Sequence, residues 1–158
     1  LDFIEGTENT YVADWWSEDR LAISSSQHQL LFYQIQKDSG QWVAKETGRT
    51  QGLHEEFIHQ TCVLHHENRE VLVSISRDRT LRFWDLKDGK ELARTHQEEF
   101  FWLGCNQQAS SVISASTNGA VRIWDPSPIS QPISWLQTYL DTAHRLELSP
   151  QWETVDLQ

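Results

Sequence analysis

The sequence contains no methionine and begins with Leu1, which predicts a piece of a longer protein. Cationic side chains are scarce. Thirteen Lys and Arg stand against 23 Asp and Glu, for a net charge of −10 and a pI near 5.0. A partner held through its phosphates needs clustered Lys and Arg, so nucleic acid is disfavoured. The acidity serves solubility instead. Cysteine is almost absent: Cys62 and Cys105 are too few for a disulfide framework. They stand 22 and 19 residues before Trp84 and Trp124, so they are not equivalent positions. Free thiols are therefore expected, in a reducing compartment, cytoplasmic or nuclear. No apolar run approaches the roughly 20 residues that cross a bilayer, and no signal peptide is visible. Catalytic signatures are missing too. There is no G-x-S-x-G, no Gly-rich phosphate loop and no H-E-x-x-H, so neither enzymatic activity nor a cofactor is expected.

What is present is a repeat. Residues 71–86, VLVSISRDRTLRFWDL, return at 111–126 as SVISASTNGAVRIWDP. Their Trp-Asp pairs, Trp84-Asp85 and Trp124-Asp125, stand 40 residues apart. A period of about 40–45 residues ending in Trp-Asp is the sequence form of a four-stranded propeller blade. Each copy alternates β-branched and polar residues, breaks at a polar turn and resumes. Arg77-Asp78-Arg79-Thr80 is one turn, where an Asp can hold backbone amides. Asn118-Gly119 is the other, a strong hairpin signal.

These residues resemble WD-repeat β-propellers. The resemblance implies an all-β propeller of four-stranded blades. It also implies a structural tetrad of Trp, Ser or Thr, Asp and an upstream His in each blade. The matching positions are Trp84, Ser76 (or Ser74), Asp78 and His54 (or His59). In the next copy they are Trp124, Ser116 (or Ser114) and His96, with Asn118 in the Asp place. About three blades are readable, with partial blades at both ends. Residues 1–10 close a preceding blade, 11–46 form a degenerate blade, and 47–97 form a blade with an insertion. Residues 98–140 form a third blade, and 141–158 begin another. In the degenerate blade Tyr33-Gln34 takes the Trp-Asp place. The polar stretch Glu46 to Glu56 is read as a connection lengthened by roughly ten residues. As a closed ring the array is incomplete, so the remaining blades, in the same or another chain, are themselves expected partners.

Two constellations invite chemistry. His54, His59, Cys62, His65 and His66 suggest zinc. On one strand, however, Cys62 and His66 would stand roughly 13 Å apart, too far for one metal. Ser, His and Asp suggest a catalytic triad, but the tetrad already accounts for them. No metal or catalytic residue is therefore assigned. The resemblance implies that the b–c and d–a loops form a partner-binding rim. That makes Arg77, Arg79 and Thr117 contact candidates, since Arg clamps carboxylates and phosphates. Trp102 is a candidate aromatic anchor. The expected function is a protein–protein interaction scaffold binding a protein or peptide. The alternatives are the regulatory or ligand-sensing propeller of a multidomain signalling ATPase, or an RNA-binding ribonucleoprotein component, which the net charge disfavours.

Overall fold

The structure is a computed structural model and describes residues 12–66, 68–95 and 99–126. Eleven strands form within them, with no helix. The first sheet is β1 (Ala13–Trp15), β2 (Arg20–Ser24), β3 (Leu30–Asp38) and β4 (Gln41–Arg49), hydrogen-bonded in that order. The second is β5 (Ile58–His66), β6 (Arg69–Ser76), β7 (Leu81–Asp85) and β8 (Glu91–Thr95), again in sequence. The third joins β9 (Phe100–Asn106), β10 (Ser111–Ser116) and β11 (Val121–Trp124). Every pairing is antiparallel. The all-β blade architecture expected from the repeat is thus present. The expected partial blades at 1–10 and 141–158, and the outer strand of the third blade near residues 133–138, lie outside the described residues, as does His96.

The sheets stack face to face, and strand parity decides which side chains meet. In the second sheet Val63, Leu72 and Trp84 pack toward the first, against Trp16, Ala22, Leu30 and Phe32. Leu64, Val71, Val73, Ile75, Leu81 and Phe83 take the other parity and pack on Phe100, Leu103 and Val112 of the third sheet. A sheet covered on both sides has strands without a polar face. Accordingly β6 is buried from Val71 through Ser76. Strand β10 alternates buried and half-buried residues, because only one of its faces meets the second sheet.

Two expectations are corrected here. The stretch Glu46 to Glu56 is not a single connection, because β4 runs on to Arg49. The additional residues of this interval are shared between the β3–β4 hairpin and the connection from β4 to β5. Strand β3 continues five residues past Tyr33, whereas β7 stops one residue past Trp84. The connection that remains, residues 50–57, is anchored. Thr50, 1% exposed, accepts from Leu30 N through Oγ1 and donates its own amide to Leu30 O.

The second correction concerns the cysteines. Cys62 and Cys105 are joined in a disulfide between β5 and β9, with Cα atoms 5.8 Å apart, and neither is free. The mismatch in their offsets from Trp is spanned because the two strands belong to facing sheets. Cys62 pairs with Val73 and Cys105 with Val112, both on the faces that meet. The inference of a reducing compartment from free thiols therefore falls.

Gly89 shows how tightly the first two sheets meet. Its φ is +73°, and a Cβ there would lie 2.0 Å from Arg49 O. Gly40, at φ +89°, has open space around the same position. Gly40→Ala should cost about 1–2 kcal/mol from left-handed backbone alone. Gly89→Ala adds an overpacking cost of about 1–3 kcal/mol, so its melting temperature should fall clearly further. Equal shifts would refute the contact.

Candidate functional site

The densest polar arrangement among the described residues lies inside the second sheet. Trp84 projects from β7 on the same face as Ser74 of β6, whose near neighbour Leu72 pairs with Trp84. That diagonal is within reach of an indole. Trp84 Nε1–H donates to Ser74 Oγ at 2.8 Å. Ser74 Oγ lies 2.8 Å from His54 Nε2, and His54 Nδ1 lies 2.8 Å from Asp78 Oδ2. The indole can only donate and the carboxylate only accept, so a neutral imidazole fixes the direction of the whole chain. Ser74 gives its proton to Nε2, and Nδ1–H donates to the carboxylate. This requires a neutral imidazole. Burial lowers the His54 pKa, and although the hydrogen bond and charge of Asp78 oppose it, the net shift is downward. Burial by itself would raise the Asp78 pKa. Hydrogen bonds from His54, Thr80 and the amide of Glu55 outweigh it and hold the carboxyl well below the usual carboxylate range.

The open choices are thereby resolved. His54, 2% exposed, occupies the tetrad, while His59 is exposed on β5. Ser74 receives the indole and Ser76 does not. Ser76 lies beyond the last β6–β7 pair, Ile75 with Leu81. Its Oγ bonds Glu56 O and the Asp78 amide, tying the sheet-to-sheet connection to the turn. In the third sheet Ser114, not Ser116, takes the Trp124 indole, at 2.9 Å. Asn118 Oδ1 accepts from Ala120 N, as Asp78 Oδ1 does from Thr80 N. In the first sheet Ile23 stands in the Ser place and packs with Leu21, Leu31 and Tyr33, so the blade that reads as degenerate is held by apolar contact.

Ser74, His54 and Asp78 have the connectivity of a hydrolase triad, but not its access. Ser74 is 0% exposed, and its oxygen already receives the indole. A substrate carbonyl cannot approach it. Of the residues that suggested zinc, His54 lies in this network and Cys62 in the disulfide. Among the described residues no three metal-ligating side chains converge.

Sequence reasoning missed two members of the network. Thr80 donates to Asp78 Oδ1 at 2.6 Å. Arg82, 3% exposed, donates to Asp78 Oδ2, Thr80 Oγ1, Leu53 O and Glu91 Oε2. Its parity, shared with Trp84 in a strand covered on both faces, was the available signal. A cation there has to be paired.

Above this network sits the rim. The three β-turns after β2, β6 and β10 are the same structure. Ser25, Ser76 and Ser116 each donate their amide to the residue four positions on, and His28, Arg79 and Gly119 take positive φ. Arg77 N binds Phe57 O, and Thr117 N binds Glu99 O. Arg77, Arg79 and Thr117 are exposed and occupy this one rim. Burial and the charge of Arg77 lower the His59 pKa, so His59 belongs to the same electrostatic patch. Trp102 lies elsewhere. It pairs with Ala115 on the face of the third sheet that points away from the second, 46% exposed.

The description of the WD domain, G-beta repeat, matches residues 47–85. Coronin-7 of Bos taurus is 27% identical over 127 residues, covering 76% of this chain and 13% of that protein. WD repeat and SOCS box-containing protein 1 of Xenopus tropicalis is 40% identical over 58 residues, 35% of this chain and 14% of that protein. The WD40 domain of Toxoplasma gondii coronin superposes with a TM-score of 0.62 at 14% identity, covering 77% of this chain and 32% of that one. The C-terminal WD40 domain of Sif2 gives 0.56 at 23% identity, covering 75% and 31%.

The described sheets have the fold of WD-repeat propeller blades, and one WD repeat is matched within them.

In this WD-repeat chain the matched repeat and the sheet are offset. Residues 47–85 begin in β4 of the first sheet and end in β7 of the second. The tetrad histidine comes from the connection between two sheets, so the repeat unit fastens neighbouring blades as well as folding one.

Two outcomes follow for the tetrad. The folded state resists protonating His54 and Asp78, whereas the unfolded chain takes those protons near the ordinary values of 6.5 and 3.8. Stability should therefore be full above neutral pH, fall as pH drops through the histidine range, and fall again through the carboxylate range. A His54→Gln variant should melt lower and lose the first descent; retention of it would exclude His54 as its source. Trp84→Ala should cost about 3–5 kcal/mol, whereas Trp42→Ala, at a position 63% exposed, should change the denaturation midpoint little. Similar midpoints would reject the anchoring role.

Proposed function

We propose that this WD-repeat chain is a non-catalytic interaction module whose b–c rim binds an acidic or phosphorylated peptide of a partner protein. WD40 repeats generally act as protein-interaction scaffolds. The observation that supports the specific reading is how Arg77 and Arg79 are held. Their turn is closed by Ser76 and Thr80, and Asp78 between them is locked by His54, Thr80 and Arg82. Two exposed guanidinium groups thus stand on backbone that does not have to be ordered when a ligand arrives, which reduces the entropic cost of binding. Arg presents the planar fork that carboxylate and phosphate accept. Asp78, between them in the turn, faces inward with its side chain 3% exposed, whereas Glu55, Glu56 and Glu99 are exposed and bonded to the same turns. Thr117 at the equivalent position of the third sheet extends the surface with a hydroxyl.

The test is a peptide array of acidic, phosphorylated and basic sequences, followed by anisotropy titration of the best ligand. Acidic or phosphorylated peptides should bind, and Arg77→Ala/Arg79→Ala should weaken them by about tenfold or more, each lost charged hydrogen bond being worth about 1.5–3 kcal/mol. Unchanged affinity in that variant would refute the rim. Tight single-stranded RNA binding with a steep salt dependence would support the ribonucleoprotein alternative instead.

A further inference from the structure

The disulfide has no part in the interaction reading, yet it is placed where it affects the whole array. It joins the first strand of the second sheet to the first strand of the third and closes a loop of 43 residues. It is the only covalent cross-link among the described residues, and the joint between the first and second sheets has no counterpart. Both cysteines are half-buried and pack against the apolar cluster between the two sheets.

The same joint has a complete set of non-covalent contacts. Gln60 Oε1 accepts from Leu103 N at 2.9 Å. Gln107 accepts from His65 N and donates to Val63 O, satisfying the backbone of the unpaired edge of β5. His66 Nδ1 lies 2.7 Å from Ser110 Oγ. Beneath them lies the apolar cluster around Leu64, Phe83, Leu103 and Val112. Breaking the sulfur–sulfur bond therefore leaves the sheets docked but less tightly tied. A bond whose loss leaves this joint docked can act as a control element.

We propose that Cys62 and Cys105 form a reversible thiol–disulfide switch that sets how firmly the second and third blades are joined. A low-molecular-weight thiol, as its thiolate, attacks one sulfur. The protein disulfide breaks, a mixed disulfide forms, and the departing cysteine takes up a proton. A second thiol then attacks the mixed disulfide, releasing the second cysteine and a small-molecule disulfide. Two electrons pass from the two thiols to the protein. The reverse sequence consumes the small-molecule disulfide and restores the bond.

The test uses the full chain equilibrated in glutathione buffers of varying reduced-to-oxidised ratio, with free thiols trapped by iodoacetamide and mapped by mass spectrometry. Cys62 and Cys105 should be cross-linked in the oxidising buffers and alkylated together in the reducing ones. The folded chain should melt roughly 5–15 °C higher when oxidised, given the stabilisation expected for a loop of this length. Cys62→Ser and Cys105→Ser should each melt with the reduced wild type and show no response to glutathione. Reduced wild type provides the comparison even if a variant folds poorly. Three results would overturn the proposal. One is alkylation of both cysteines at every ratio. Another is a bond that resists millimolar glutathione while the chain is folded. The last is a melting temperature that is the same in both redox states.

Discussion

A single hydrogen-bond chain, from the Trp84 indole through Ser74 and His54 to Asp78, holds this structure's turns, strands and inter-sheet connection in one arrangement. Each member comes from a different segment. Trp84 belongs to β7 and Ser74 to β6, His54 to the connection between sheets, and Asp78 to the turn. The chain runs in one direction, because the indole cannot accept, the carboxylate cannot donate and burial keeps the imidazole neutral. Buried polar groups that are all satisfied are rigid, and each would be costly if left alone. Removing any one member would strand its neighbours in an apolar surrounding.

That rigidity is what the surface uses. Asp78 is fixed from below, so the two arginines that flank it are fixed from above, and one turn serves as both interior and exterior. The first and third sheets show what happens as the network thins. The third keeps the Trp124–Ser114 bond and the Asn118 turn cap. The first replaces the serine with Ile23 and relies on packing with Tyr33. All three turns nevertheless share one backbone form. The polar network is therefore not required to make a blade; it stiffens the blade that carries the arginines.

Much of this was readable in residues 71–86 and their repeat. The 40-residue interval, the Asn-Gly turn and the β-branched alternation marked the blades and their turns. Strand ends were less legible. The β3–β4 hairpin extends by backbone pairing, which polar residues such as Lys45 to Arg49 support as readily as apolar ones. The candidate site divides in the same way. The types of the tetrad residues could be named, but not the choice of Ser74 over Ser76. Arg82 was not among the residues named, because a charge in a strand reads as exposed until both covering sheets are in view.

Local pattern alone determined that this chain makes β-blades, where their turns fall and which residue types meet inside them. Those features depend on neighbours within a few positions and on a fixed alternation of faces. Tertiary structure alone decided that His54 crosses from one blade into the next, that Arg82 is enclosed, and that Cys62 and Cys105 are bonded. Each depends on the distance between sheets, which no spacing along the chain records.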